Sequence, residues 1–250
     1  MLIDTHAHLN FKAYKDDVDE AIKRSLNHNI EMINVGSGYE TSKRAIEIAK
    51  GHKQGVYATV GLHPIHIQDE FNYEKYKELA QSSNKVVAIG EIGLDYKSEY
   101  LAFKEQQKKI FLEQLKLAQE LRLPIIFHCR MAHNDLIQEL QAMNYKPEGV
   151  VHCFTGNKEQ AKQYLKMGLY LGFNGIIFNL NLDEVIAKTP LEKILLETDC
   201  PFLTPPQEGD KRNEPIYLKY IAEKIAQIKK IDYLEVTKTT SENAKKLFKI

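Results

Sequence analysis

The chain has 250 residues, 43% of them hydrophobic, with 34 basic and 34 acidic side chains and so no formal net charge. That length carries a full hydrophobic core and suits one α/β barrel domain spanning residues 1–250, while the balanced charge excludes a molecule-wide pull toward nucleic acid, membranes or acidic partners and leaves any anion binding to a local site. The opening MLIDTHAHLN lacks the basic and apolar segments of an export signal, and no later stretch is apolar long enough to span a bilayer; Cys129, Cys153 and Cys200 show neither CxxC nor finger spacing. The expectation is a cytoplasmic protein with free thiols, without a disulfide framework, a thiolate zinc site or a membrane partner.

Short runs rich in Val and Ile alternate with longer amphipathic stretches, the pattern of repeated βα units. In chain order the runs are Leu2–Thr5, Glu31–Val35, Val56–Val60, Val86–Gly90, Ile125–Phe127, Gly149–Val151, Leu169–Gly172 and Ile194–Glu197. Eight parallel strands predict a closed (β/α)8 TIM-type barrel. Between them the clearest helix is Phe103–Leu121, where Phe111, Leu112, Leu115, Leu117 and Ala118 recur at helical spacing before Pro124. Pro201–Pro215, dense in proline, glycine and charge, predicts a long loop after the last strand. The tail from Ile216 to Phe248 predicts two helices parted near Ile231–Asp232.

The first strand ends in Asp4-Thr5-His6-Ala7-His8. Side chains alternate along a strand, so His6 and His8 share a face, as chelation of one ion requires. Later apolar runs deliver Glu91, His128, His152 and Asp199 at their ends, and a barrel gathers such ends at one mouth. Each residue alone fits a hydrogen-bonded core group equally well. Together, four imidazoles and two carboxylates buried without cations would cost several kcal/mol, roughly, so the set predicts a metal centre, large enough for two ions sharing a carboxylate. By the same alternation Cys129 and Cys153, each one residue past a ligand, are expected to face the helices.

These segments resemble a known family. DTHAHL, GLHP at Gly61–Pro64, GEIGLDY at Gly90–Tyr96, HCR at His128–Arg130, HCFTG at His152–Gly156, ETDCPFLTP at Glu197–Pro205 and RNEP at Arg212–Pro215 together resemble the TatD-type metal-dependent deoxyribonucleases among the amidohydrolase-like barrels. The resemblance implies that His6, His8, Glu91, His128, His152 and Asp199 are metal ligands, with Glu91 bridging two ions, and that His63 meets the substrate as a phosphate-binding or acid–base residue. Ile65-His66 after GLHP, and Cys200 in place of the usual alanine, depart from the pattern without touching a ligand.

The expected function is metal-dependent hydrolysis of DNA phosphodiester bonds by a metal-activated water whose proton passes to Asp199. The cofactors expected are two divalent ions, Mg²⁺ or Mn²⁺ in function with Zn²⁺ or Ni²⁺ as alternatives, and the partner is DNA, single-stranded or with free ends. Arg130 and Arg212 are candidate phosphate contacts because guanidinium presents a planar fork to phosphate oxygens; Lys97 and Lys211 are weaker candidates. Asp95 is expected to orient a ligand or loop, and Tyr96 to pack or to stack on a base. Two other functions use the same barrel: hydrolysis of another ester or amide, as in a D-aminoacyl-tRNA deacylase or lactonase, and a non-enzymatic metal-dependent binding role. Many lactonase-type sites bridge their ions with a carboxylated lysine where this chain has Glu91, and a purely structural metal would not need an open barrel mouth.

Overall fold

The computed structural model describes residues 1–250. Eight strands, β1 (Leu2–Ala7), β2 (Ile30–Asn34), β3 (Val56–Val60), β4 (Val86–Asp95), β5 (Ile125–Arg130), β6 (Gly149–Val151), β7 (Tyr170–Phe173) and β8 (Ile194–Leu196), form one sheet in sequence order. Every neighbouring pair from β1 to β8 is parallel. A bridge from Ala7 to Cys200 joins the two ends, and His8 N–H to the Cys200 carbonyl and Asp199 N–H to the His6 carbonyl complete the ring. Helices α1 (Val18–Asn27), α2 (Tyr39–Lys50), α3 (Tyr73–Gln81), α4 (Lys104–Leu121), α5 (His133–Gln141), α6 (Lys158–Lys166), α7 (Asp183–Lys188), α8 (Leu218–Lys229) and α9 (Tyr233–Phe248) make the connections and the tail. No helix is long and apolar enough to cross a membrane.

All eight expected strands exist, with β1, β4 and β5 running further than their apolar runs because polar residues continue the ladder into the mouth. In α4, Phe111, Leu115, Leu117 and Ala118 are buried as their spacing predicts, whereas Leu112 faces solvent. The tail divides where expected, between Lys229 and Tyr233. Ile3, Ile33, Val87, Ile126, Val150 and Leu195 meet inside the barrel with Ala244, Leu247 and Phe248 of α9. The last helix therefore plugs the N-terminal end, each buried Leu or Phe contributing about 1.5–3 kcal/mol, and Asn243 fastens it by donating to the Leu191 and Ile194 carbonyls. Only the C-terminal end stays open.

Regular pairing breaks in β1 between Asp4 and Ala7 and in β4 between Ile89 and Ile92. Such irregularities re-aim side chains next to active sites, and these two flank His6 and Glu91. The β1–β8 seam is stitched by side chains as well as backbone: buried Asp4 accepts from Thr198 N–H and the His6 amide and bonds the Thr198 hydroxyl, and the Thr5 hydroxyl donates to the Leu196 carbonyl.

Candidate metal centre

Glu91 stands at the middle of the mouth, 4% exposed, and turns its two oxygens to opposite sides. Oε2 lies 3.4 Å from His6 Nε2 and 3.8 Å from His8 Nε2. Oε1 lies 2.6 Å from His128 Nδ1, 2.9 Å from His152 Nε2 and 3.3 Å from His63 Nε2. The structure thus brings all six expected ligands together around one carboxylate, with the His6 and His152 rings stacked at 3.8 Å between centroids across it.

On the first side, His6 Nε2 and His8 Nε2 are 3.1 Å apart. His8 Nδ1 is 2.9 Å from the Val35 carbonyl oxygen and donates to it, which leaves its Nε2 as a bare lone pair. Two imidazole nitrogens brought this close suit convergence on one cation. Asp199 Oδ1 joins them at 3.8 Å from His6 and 3.4 Å from His8. Strand β8 has ended by then, and Asp199 takes φ = 57°, a left-handed turn that points its carboxylate inward where simple alternation no longer applies.

On the second side each histidine has a buried carboxylate behind it. His128 Nε2 is 3.0 Å from Asp95 Oδ2, and Asp95, fully buried, also holds the Arg130 guanidinium and the Lys97 amide. His152 Nδ1 is 3.3 Å from Glu197 Oε1, near enough for charge attraction but not aligned as a hydrogen bond. Glu197 is fixed by the Cys153 amide and by Asn174 Nδ2, in a slot that exists because residue 172 is glycine: a Cβ there would lie 2.4 Å from Glu197 Oε2.

The electrostatics follow this division. Burial and then the neighbouring His152 charge push His6 below its ordinary value. Burial opposes charge on His128 and His152 too, yet Asp95 and Glu91 hold the first above its ordinary value, and Glu91 and Glu197 the second well above. Burial alone would raise Glu91; the surrounding imidazoles, His63 and His152 foremost, hold it well below the usual carboxylate range. Asp199 is lowered in the same way against its burial, by His8, His6 and His152. Two ionised carboxylates facing four imidazoles in a buried site offer nitrogen and oxygen donors without thiolate, a set that fits divalent Mg, Mn, Fe or Zn.

The remaining expected residues divide by location. His63, 6% exposed, accepts the Ile65 amide on Nδ1, so its neutral ring carries the proton on Nε2, facing the site. Arg130 lines the mouth with its side chain 45% exposed while gripping Asp95. Arg212 does not reach the mouth: it bonds Asp17, Glu214 and the Ala13 carbonyl and lies over the Tyr14 ring. Lys97 pairs with Glu99, and Lys211 with Glu208. Tyr96 is buried, donates to Asp135 and packs under Lys104. Cys129 is buried beside Tyr164, as alternation predicts. Cys153 departs from that expectation. Strand β6 stops at Val151, Cys153 takes φ = 44° and its thiol turns to Asn174 at the rim of the mouth. Pattern reading also missed Phe11, Ile176, Phe202 and Leu203, which help to line a cavity of about 470 Å³ over the centre. Loop residues carry no periodicity that would have shown them.

A closed βα barrel with a histidine–carboxylate cluster at its C-terminal mouth defines a metal-dependent hydrolase. The chain matches the family described as TatD related DNase over residues 3–249, and it belongs to that family. It is 42% identical over the full length of both chains to an uncharacterized metal-dependent hydrolase, YabD, of Bacillus subtilis (strain 168). It is 34% identical, over all of this chain and 99% of the other, to the 3'-5' ssDNA/RNA exonuclease TatD of Escherichia fergusonii. Among solved structures, the TatD homologue YjjV of Escherichia coli K12 superposes with a TM-score of 0.92 at 29% identity, covering 100% of this chain and 98% of that one.

Proposed function

We propose that the protein is a nuclease that hydrolyses phosphodiester bonds of single-stranded nucleic acid with two divalent ions. One ion would be held by His6, His8, Asp199 and Glu91 Oε2, the other by His128, His152 and Glu91 Oε1. The observation that carries this reading is the division of the Glu91 oxygens between two histidine pairs. When bound, the ions supply Lewis-acid stabilisation of the attacking and leaving oxygens and a water acidified toward neutrality.

The chain's own residues do the rest. Asp199, 16% exposed at its side chain, is the one ligand carboxylate not shared between the two sides and takes the proton of the attacking water. His63 offers its Nε2 proton to a non-bridging phosphate oxygen. Arg130, with two of its nitrogens committed to Asp95, offers the outer edge of its guanidinium to the phosphate as well. Two divalent ions against Glu91 and Asp199 leave the mouth net positive, which is how a neutral protein would draw in a polyanion. The relatives named as 3'-5' ssDNA/RNA exonucleases support a single-stranded substrate cut from an end. The three free thiols accord with a cytoplasmic setting.

The experiment is a substrate panel. Metal-stripped protein is supplied with Mg²⁺, Mn²⁺ or Zn²⁺ and offered single-stranded DNA, duplex DNA, RNA, an aminoacyl-tRNA and a lactone. Metal-dependent release of nucleotides from single strands is expected. Faster turnover of the aminoacyl ester or lactone than of any nucleic acid would replace the proposal with the ester-hydrolase reading.

A further inference from the structure

Going round the barrel mouth, the lining changes character abruptly. Besides the proposed ligands, the stretch from β2 to β6 is mainly polar, with Ser37, His63, His66, Arg130 and Thr155 beside Ile65 and two cysteines. From β7 through β8 to β1 it is mainly apolar, with Ile176, Leu203, Phe202 and Phe11 around the ligands Asp199 and His8. Phe11 stacks on His8 at 4.2 Å between centroids and 15° between planes, and Phe202 stands edge-on to both rings at 6.4–6.5 Å. Phe202 is 53% exposed although it lines the cavity.

An exposed phenylalanine on a loop is ordinary where the loop is free. Here the backbone is pinned and only the ring is left out. The Phe202 amide donates to the Asp199 carbonyl, its carbonyl accepts from the buried Asn213 side chain, and Asn213 also holds the Thr198 carbonyl. The next residue, Leu203, is held against β7's loop so closely that a Cβ on Gly175 would lie 1.9 Å from the Leu203 carbonyl oxygen. The ring is therefore at a set place, three residues from the carboxylate assigned to the proton and beside the ligand His8.

Resting on the nuclease reading, we infer that Phe202, backed by Phe11, Leu203 and Ile176, is a nucleobase-stacking subsite for the nucleotide next to the scissile phosphate. The polar arc across the mouth, headed by Arg130, takes the phosphate side of the chain. A single-stranded substrate offers both a naked base face and a phosphate at that spacing. A paired base in a duplex hides its face, so the subsite selects unpaired ends. Stacking on an aromatic ring tolerates every base, giving selectivity for single strands without sequence preference.

The test uses the metal-loaded, full-length protein and two single-stranded DNA oligonucleotides, one normal and one lacking the bases of its terminal nucleotides. The parent is expected to favour the normal strand in kcat/KM by about 5- to 150-fold. Phe202→Ala should bring that ratio close to one, and Phe202→Trp should keep it. The chain contains no tryptophan, so Phe202→Trp also gives a single reporter, whose fluorescence should be quenched by the normal strand and not by the abasic one. A parent indifferent to the bases, an alanine variant with the parent's ratio, or a tryptophan quenched equally by both strands overturns the inference while leaving the nuclease reading intact. Failure of the parent to cleave either strand overturns both.

Discussion

The two sides of Glu91 are built on different supports. Behind His6 and His8 stand only a backbone carbonyl and, at His6 Nδ1, nothing at all. Behind His128 stands Asp95 in a hydrogen bond, and behind His152 stands Glu197 at 3.3 Å without one, both carboxylates fully buried. A carboxylate behind an imidazole fixes the ring and strengthens it as a donor, so under the two-ion proposal the rings of the second side would be the more firmly backed. The less firmly backed side is also the one with Asp199 and, by the inference above, the one the substrate base would meet.

Glu91→Gln breaks the comparison altogether, because it removes the charge both sides share while keeping the side chain's size. Metal content of both sites is expected to fall together, with activity down about 1000-fold or more. Elemental analysis beside single-turnover rates decides it; a variant that loses only one ion per chain would show that the two sides do not share the carboxylate. Asp199→Asn touches one side. Turnover on single-stranded DNA should drop on the order of 100-fold or more while strand binding in the presence of metal weakens much less. Cleavage at near the parent rate would mean that another group takes the proton.

Glu197→Gln and Asp95→Asn sharpen the comparison instead of breaking it. Each should lower metal affinity at the His128–His152 side by about 10- to 100-fold, read by competition with a chelator, while the His6–His8 side keeps its affinity. Equal weakening of both sides would remove the asymmetry argued above. Glu197 is the instructive case. Its place deep in the barrel follows from strand alternation, and from that depth a mainly structural role is the natural expectation. The role behind His152 is invisible in sequence, since it depends on Gly172 leaving the slot into which the carboxylate fits.

The legible part of the molecule was the part with a period. His6, Glu91 and His128 lie within strands and His152 directly after one, each at the end of an apolar run visible in the letters, and a (β/α)8 frame then brings those letters together. Cys153 and Asp199 lie past the ends of their strands, at φ of 44° and 57°. Alternation misdirected the first; the second was placed only by its position after an apolar run and by family resemblance. Phe202 lies beyond any period, and its exposure is a fact of the fold alone. Charge type misled in the same manner at Arg212: a guanidinium near a mouth suggests phosphate, but only the fold shows that Asp17 and Glu214 already occupy it.

Arg212 therefore supplies the smallest expected effect on activity. It ties the loop after β8 to the turn before α1, through Asp17, Glu214 and the Ala13 carbonyl, with its guanidinium 4.0 Å from the centroid of the Tyr14 ring. Replacing it with alanine removes that tie while Arg24 still pairs with Glu214, so part of the network survives. The guanidinium's bonds and ring contact are worth about 2 kcal/mol together, and the melting temperature of Arg212→Ala should fall by about 4–8 °C. Its kcat/KM on single-stranded DNA should stay within about twofold of the parent at temperatures where both are folded. A KM for DNA raised tenfold or more, with a melting temperature unchanged, would show that this arginine leaves its carboxylates for the substrate, and the seam between β1 and β8 would then belong to the binding surface as well as to the frame.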